Sequence, residues 1–183
     1  MAKYVKEIMI SRREIDQMCQ RLGASISQDY EGKEVTLIGV LKGAYVFMAD
    51  LARYITVPVR IDFMSVSSYG SGTRTSGVVR ITKDLDADIS NKHVIVVEDI
   101  VDSGLTLKHL RQLLGTRNPA SIALCTAFDK PARRRVDVDV EYVGMQISDE
   151  FIVGYGLDYD GKFRNLPDVC VIGDDSKEET NEA

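Results

Sequence analysis

Four consecutive β-branched apolar residues, Val94-Ile95-Val96-Val97, run straight into two carboxylates, Glu98 and Asp99, and then into Ile100-Val101-Asp102-Ser103-Gly104-Leu105-Thr106-Leu107. No other stretch constrains the fold so strongly. A β-branched run with no polar face suits a strand covered on both sides, as strands inside a parallel sheet are. The two acids fall where that strand is expected to end. Asp102, Ser103, Gly104 and Thr106 crowd a short turn. A helix is predicted from about Leu105, with Leu110, Leu113 and Leu114 facing inward and Gly115 as its stop. The first N–H groups of a helix lack internal partners and stand at the positive end of its dipole, so this unit is suited to hold an anion. Gly104 permits close backbone approach, and the Ser103 and Thr106 hydroxyls add donors. No Gly-rich loop ends in Lys-Ser or Lys-Thr, so the turn is not a Walker A loop. The expected ligand is a phosphate monoester rather than the tail of a nucleoside triphosphate.

The acids need their own explanation. A carboxylate beside a phosphate repels it unless it faces another part of the ligand. Adjacent acids suit the two neighbouring hydroxyls of a ribose, and they also attract a divalent cation. Asp102 has two readings: a helix N-cap, or a group that meets the ligand.

The same pattern recurs earlier. Val35 to Leu41 is an apolar strand ending in Lys42-Gly43-Ala44, with a helix predicted from about Tyr45 to Tyr54. Lys42 is thereby a cation at a strand's C-terminal end, where open α/β sheets gather ligands; a solvated loop lysine is the plain alternative. Lys130 stands the same way after the strand Ile122 to Phe128, and the Arg133-Arg134-Arg135 run beyond it reads as solvated surface. Between the predicted strands Val59–Ser67 and Val78–Thr82 lies Ser68 to Gly77, rich in Gly, Ser and Thr. It reads as a hairpin excursion and as a lid. Near the N-terminus, Lys6 to Ile10 reads as a short strand. Ser11 and Glu14 form a capping box for a helix whose apolar stripe, Ile15 to Ile26, is ordinary core. Further on, Glu141 to Met145 and Ile147 to Tyr155 read as strand-like. Asp158 sits in a Gly-flanked turn, as a cation ligand or an Asx turn. Cys170 to Ile172 reads as a last short strand.

Composition excludes several classes. The chain has 183 residues, 44% of them hydrophobic, and a net charge of −5. Those values suit one domain over residues 1–173 and argue against a general nucleic-acid binder. Residues 174–183 are acidic and read as a disordered tail. No apolar run is long enough to span a bilayer, and none resembles a signal sequence, so no membrane partner is expected. The three cysteines, Cys19, Cys125 and Cys170, are widely spaced among apolar neighbours and read as reduced thiols of a cytoplasmic protein.

The stretch from Val94 to Leu107 closely resembles the signature of the type I phosphoribosyltransferases, which bind phosphoribosyl pyrophosphate (PRPP). Leu41-Lys42-Gly43, Ser68-Tyr69, Asp129-Lys130-Pro131, Val143-Gly144, Asp149 to Tyr159, and Arg164 extend the similarity to the hypoxanthine and hypoxanthine-guanine phosphoribosyltransferases, over about Ile8 to Ile172. The resemblance implies an α/β fold with a mostly parallel central sheet, flanking helices and a small hood from the N-terminus and the C-terminal segment. It implies Mg²⁺ as cofactor and a homodimer or homotetramer. It implies transfer of the phosphoribosyl group to hypoxanthine, and to guanine, giving IMP or GMP and pyrophosphate. Xanthine preference is an alternative. So is a PRPP-sensing regulator that binds nucleic acid, which the net acidity disfavours.

Carried over residue by residue, Glu98 and Asp99 would hold the ribose hydroxyls, directly or through metal. Asp102, Ser103, Gly104, Leu105 and Thr106 would cradle the 5′-phosphate, with Asp102 also serving as the base that takes the N7 proton. Lys42, Gly43 and Arg164 would bind pyrophosphate, and Ser68 and Tyr69 would close over it. Lys130 would donate to the purine 6-oxo group, Phe151 would stack on the base, and Ile152 would read its edge through the backbone. Asp158 would anchor a second Mg²⁺. Family members often have a cis peptide entering the lysine, which makes Leu41–Lys42 a candidate. Leu105 departs from relatives that carry a polar or basic residue there, and can offer only its N–H. Asp149 and Glu150 either accept from a 2-amino group or face water.

Overall fold

Val35 to Leu41 is almost wholly apolar, and the chain buries it as a central strand. The computed structural model describes residues 3–68 and 79–174. In order the elements are β1 (Lys3–Ile10), α1 (Arg12–Asp29), β2 (Val35–Leu41), α2 (Tyr45–Ala52), β3 (Val59–Ser68), β4 (Val79–Lys83) and β5 (His93–Val101). There follow α3 (Leu105–Gly115), β6 (Ser121–Asp129), a 3₁₀ turn (Pro131–Arg133), β7 (Tyr142–Gln146), β8 (Ile152–Val153) and β9 (Val169–Asp174).

One sheet runs β4-β3-β2-β5-β6-β7, parallel throughout except for the antiparallel β3–β4 pair. Successive residues of its inner strands go to opposite faces, as the strand period of two requires. Leu37, Ile95, Val97 and Cys125 pack with Ile15, Leu22 and Phe47 of α1 and α2. Ile38, Val94, Val96 and Leu124 pack with Leu107, Leu110 and Leu114 of α3. The chain leaves β2 through α2 to reach β3 on one side, and leaves β5 through α3 to reach β6 on the other. Winding therefore reverses between β2 and β5, and the crevice outside their carboxyl ends is the place such sheets offer to ligands.

A second, antiparallel sheet, β1-β9-β8, joins the two ends of the described chain. It is the expected hood. The capping box is present: the Ser11 N–H donates to Glu14 Oε2 at 2.8 Å, and Ser11 Oγ accepts from the Glu14 N–H at 3.4 Å. Cys19, Cys125 and Cys170 are free and buried. Among the described residues, no helix is long and apolar enough to cross a membrane.

Several boundaries differ from expectation. β1 begins at Lys3, because its outer half pairs with β9 up to Asp174; β9 thus reaches one residue into the segment assigned to the tail. α2 ends at Ala52, not Tyr54. Of the strand-like stretch Ile147 to Tyr155, only Ile152 and Val153 find ladder partners, on β9. β5 runs on to Val101, since β6 continues to supply partners as far as the Val101–Asp129 pair. Glu98 and Asp99 therefore lie inside the strand rather than after it.

Candidate active site

β2 and β5 are neighbours, so their carboxyl ends bring Lys42-Gly43 against the stretch Glu98 to Thr106. The Leu41–Lys42 peptide is cis. Packing here is tight: a Cβ on Gly43 would stand 1.4 Å from Asp99 Oδ2. Only a residue without a side chain can pass that carboxylate. The other Asp99 oxygen accepts the Ile100 N–H at 2.7 Å.

Helix α3 starts from Gly104, which has φ of +81° and serves as the N-cap without any side-chain cap bond. The capping reading of Asp102 is therefore set aside. Its carboxylate, half exposed, accepts instead from Arg133 Nε at 2.8 Å. The Leu105 N–H donates to Ser103 Oγ at 3.4 Å.

The surface reading of the basic run holds for Arg133 and Arg135, which are exposed, but not for Arg134, which is partly buried. Arg134 donates from Nη1 to the Asp102 carbonyl at 3.2 Å and from Nη2 to Asp129 Oδ1 at 2.5 Å. The Arg135 and Val136 N–H groups donate to the Ser103 carbonyl at 3.0 and 3.4 Å. This segment braces the back of the anion turn. The run follows β6, and only the structure puts β6 beside β5.

A cleft of about 360 Å³ is lined by Lys42, Gly43, Glu98, Asp99, Asp102, Ser103, Gly104, Thr106, Asp158 and Arg164. A second lobe of about 330 Å³ adds Lys130, Arg133, Asp149, Glu150, Phe151 and Ile152, and shares Ile100, Asp102 and Asp158 with the first. Leu105 lies at the start of α3 and is not among the lining residues. Ser68 ends β3, paired with Val79; Tyr69, and the expected lid through Gly77, lie outside the described residues.

In the second lobe the Lys130 side chain is nearly buried, and its Nζ donates to the Glu150 carbonyl at 2.5 Å. The Lys130 N–H donates to the Val101 carbonyl, which ties the exit of β6 to β5. Phe151 is 57% exposed and meets Tyr159 edge-on, with ring centroids 5.8 Å apart and planes at 84°. Ile152 is buried in β8. Arg164 pairs with Asp158 Oδ1 at 2.7 Å and donates to the Gly156 carbonyl at 2.6 Å. The second Asp158 oxygen accepts the N–H of Gly161, three residues on, at 2.7 Å, a local side-chain turn one residue wider than an Asx turn.

Sequence reasoning missed one support. The buried Tyr155 hydroxyl donates to Asp50 at 3.0 Å, and Asp50 pairs with Arg12 at 3.1 Å. This joins the hood to α1 and α2. Gly156 follows, so close to the lysine turn that a Cβ there would fall 2.2 Å from the Gly43 carbonyl oxygen. The signal was faint, since a lone Tyr in an apolar stretch reads as core.

Burial pushes the Glu98 carboxyl well above its ordinary titration range, and neighbouring Asp99 adds to the effect. Asp99 is also raised by burial, against the pull of a hydrogen bond with Glu98 and the Ile100 N–H. Such a carboxyl binds more protons folded than unfolded. Its stability contribution is complete below the ordinary value of 4.5 and is lost as pH rises toward the folded value. Glu98→Gln is therefore expected to melt higher than wild type at about pH 8 without ligand, and equally at about pH 4. Thermal melts across that range check this; a gap independent of pH would refute it.

Among the described residues no three His, Cys, Asp or Glu side chains gather into a metal group. Glu98 and Asp99 form a pair, and Asp158 is engaged with Arg164. Mg²⁺ does not need a protein cage: it takes one or two carboxylates and completes its shell with water and substrate oxygens. The adjacent pair on the cleft wall fits that demand.

A doubly wound sheet with a polar turn, a helix start and an acid pair at its switch point is the type I phosphoribosyltransferase fold. Residues 9–160 match the phosphoribosyl transferase domain model, and the chain belongs to that family. It is 52% identical over 169 residues to the hypoxanthine phosphoribosyltransferase of Salmonella typhimurium, covering 91% of this chain and 95% of that one. It is 47% identical over 168 residues to the hypoxanthine-guanine phosphoribosyltransferase of Staphylococcus aureus, covering 92% and 94%. The crystal structure of a hypoxanthine-guanine phosphoribosyltransferase from Bacillus anthracis matches with a TM-score of 0.90 at 46% identity, over 94% of this chain and all of that one.

Proposed function

We propose that the protein is a purine salvage enzyme, transferring the phosphoribosyl group of PRPP to N9 of hypoxanthine, and of guanine, with release of pyrophosphate. The observation that carries this reading is the two-lobed cleft with Asp102 in the wall common to both lobes. A phosphoribosyl donor and a purine must meet at one carbon, and a group shared by both lobes stands at that junction.

The roles follow from chemistry. The turn Asp102 to Thr106 holds the 5′-phosphate through N–H groups, hydroxyls and the α3 dipole. Glu98 and Asp99 would accept from the ribose hydroxyls or hold Mg²⁺, and Asp158, paired with Arg164 in the free protein, would anchor a second Mg²⁺. When bound there, Mg²⁺ supplies positive charge to the pyrophosphate oxygens. Lys42, the Gly43 N–H and Arg164 gather on the departing pyrophosphate, with Ser68 and Tyr69 closing over it. As C1′ gains oxocarbenium character, N9 attacks and Asp102 takes the N7 proton. Lys130 donates to the 6-oxo group, Phe151 stacks on the ring and the Ile152 backbone reads its edge.

Residues 1–173 act as one domain in this reading, with the hood built from both ends. The buried free thiols fit a cytoplasmic protein. Exposed Tyr45, close to the lysine turn, and exposed Ile61 offer apolar surface for a homodimer or homotetramer. A regulator that binds nucleic acid needs an open basic face, and here Arg133 and Arg134 are engaged by Asp102, Asp149 and Asp129. The test is nucleotide formation from PRPP and Mg²⁺ with hypoxanthine, guanine, xanthine, adenine and uracil in parallel. Product from hypoxanthine and guanine is expected. Product from xanthine alone would move the assignment, and none from any base would overturn it.

A further inference from the structure

Arg133 reaches two carboxylates from two different loops. Its Nε donates to Asp102 Oδ1 at 2.8 Å, and its Nη1 lies 3.4 Å from Asp149 Oδ1. Asp102 belongs to the turn between β5 and α3, and Asp149 to the segment between β7 and β8. Arg133 itself closes the 3₁₀ turn after β6, so one guanidinium joins three separate segments at the second lobe. The Lys130 ammonium is 3.9 Å from Asp149 Oδ1.

This geometry has a consequence for the base. Asp149 stands between two cations, and Arg133 takes the closer share of it. If Arg133 were absent, Asp149 would be free to close on Lys130 and occupy the donor needed by a purine oxygen. Asp102 would at the same time lose the group that fixes its rotamer. A planar guanidinium can serve two carboxylates at once, which a lysine ammonium at the same position cannot do with equal geometry.

We infer that Arg133 is a positioning residue of the base lobe, holding Asp102 at the junction of the lobes and keeping Asp149 off Lys130. The inference rests on the base-lobe roles given above for Asp102 and Lys130. It concerns recognition of the purine and leaves the pyrophosphate side untouched.

Arg133→Gln is expected to lower kcat/KM for hypoxanthine by up to about a hundredfold, the scale of a misplaced reacting group, while KM for PRPP changes far less. Arg133→Lys recovers part of the loss. Adding Asp149→Asn to Arg133→Gln also recovers part of it, because no free carboxylate is left to compete for Lys130. An unchanged kcat/KM would overturn the inference. So would equal losses for both substrates that track a fall in Tm, or a double variant no better than the single one. The ligand-free protein gives a readout without turnover: the Arg133 Nε–H resonance should exchange slowly in wild type and rapidly in Asp102→Asn/Asp149→Asn. Rapid exchange in wild type refutes the latch. A wild type that makes no nucleotide but keeps slow exchange refutes the proposed reaction and leaves the latch standing.

Discussion

Asp102→Asn is expected to slow nucleotide formation about a hundredfold to ten-thousandfold, the range typical for loss of a positioned acid–base group, with PRPP binding retained. The geometry makes this substitution unusually clean. The Asp102 carboxylate is on the cleft wall shared by the two lobes and accepts from Arg133 Nε at 2.8 Å. An asparagine carbonyl oxygen can accept the same bond, so the turn keeps its shape and only the proton acceptor is lost. Asp102 caps no helix, since Gly104 starts α3, so the variant forfeits no cap. An aspartate is a weak base at neutral pH. In the proposed reaction its help would come from position and from the rising acidity of the purine nitrogen as N9 bonds. Single-turnover rates with hypoxanthine, alongside calorimetric PRPP binding, separate the two effects. Near-normal turnover would remove Asp102 as the base.

Lys130→Ala carries the second large effect. The Lys130 side chain is nearly buried, with Nζ already donating to the Glu150 carbonyl at 2.5 Å. Its removal leaves that carbonyl, and the purine 6-oxo group, without a charged donor in a confined lobe. A hydrogen bond to a charged group contributes about 1.5–3 kcal/mol, so kcat/KM for hypoxanthine should fall about 10- to 150-fold. Selectivity over adenine should shrink with it, because adenine has no 6-oxo group to lose a partner. Lys130→Met retains the aliphatic stem and separates packing from donation. If the hypoxanthine-to-adenine ratio of kcat/KM were unmoved in both variants, Lys130 would not read the purine edge.

Both residues could be picked out from the sequence because each lives at the end of an apolar strand, while the base role of Asp102 came from the family resemblance. The run Val94 to Val97 needs cover on two faces, and the structure covers it with α1 and α2 on one side and α3 on the other. The acid pair, the turn and the helix start are neighbours in the chain, so their chemistry is local and legible. The capping box at Ser11 and the β3–β4 hairpin are local in the same way.

The misreadings share a cause. Arg133, Arg134 and Arg135 form a charge run, and charge runs commonly face water. Here β6 delivers them beside the turn after β5: the exposed Arg133 pairs with Asp102, the partly buried Arg134 with Asp129, and Arg135 keeps its side chain exposed while its backbone N–H donates to the Ser103 carbonyl. Tyr155, read only as the end of a strand-like stretch, is buried and joins the hood to the helices.

The sequence by itself determined the strand, turn and helix units, the placing of an acid pair ahead of a polar turn and helix start from Glu98 to Thr106, and the lysines that end β2 and β6. Only the tertiary structure decided which of these units meet. Side-chain periodicity tells which face a residue occupies, but not which strand lies beside it. That choice is made by the crossovers, which send the chain in opposite directions from β2 and from β5. It is why Gly43 packs on Asp99, why Gly156 packs on Gly43, and why Arg133 can hold two loops that lie far apart in the chain.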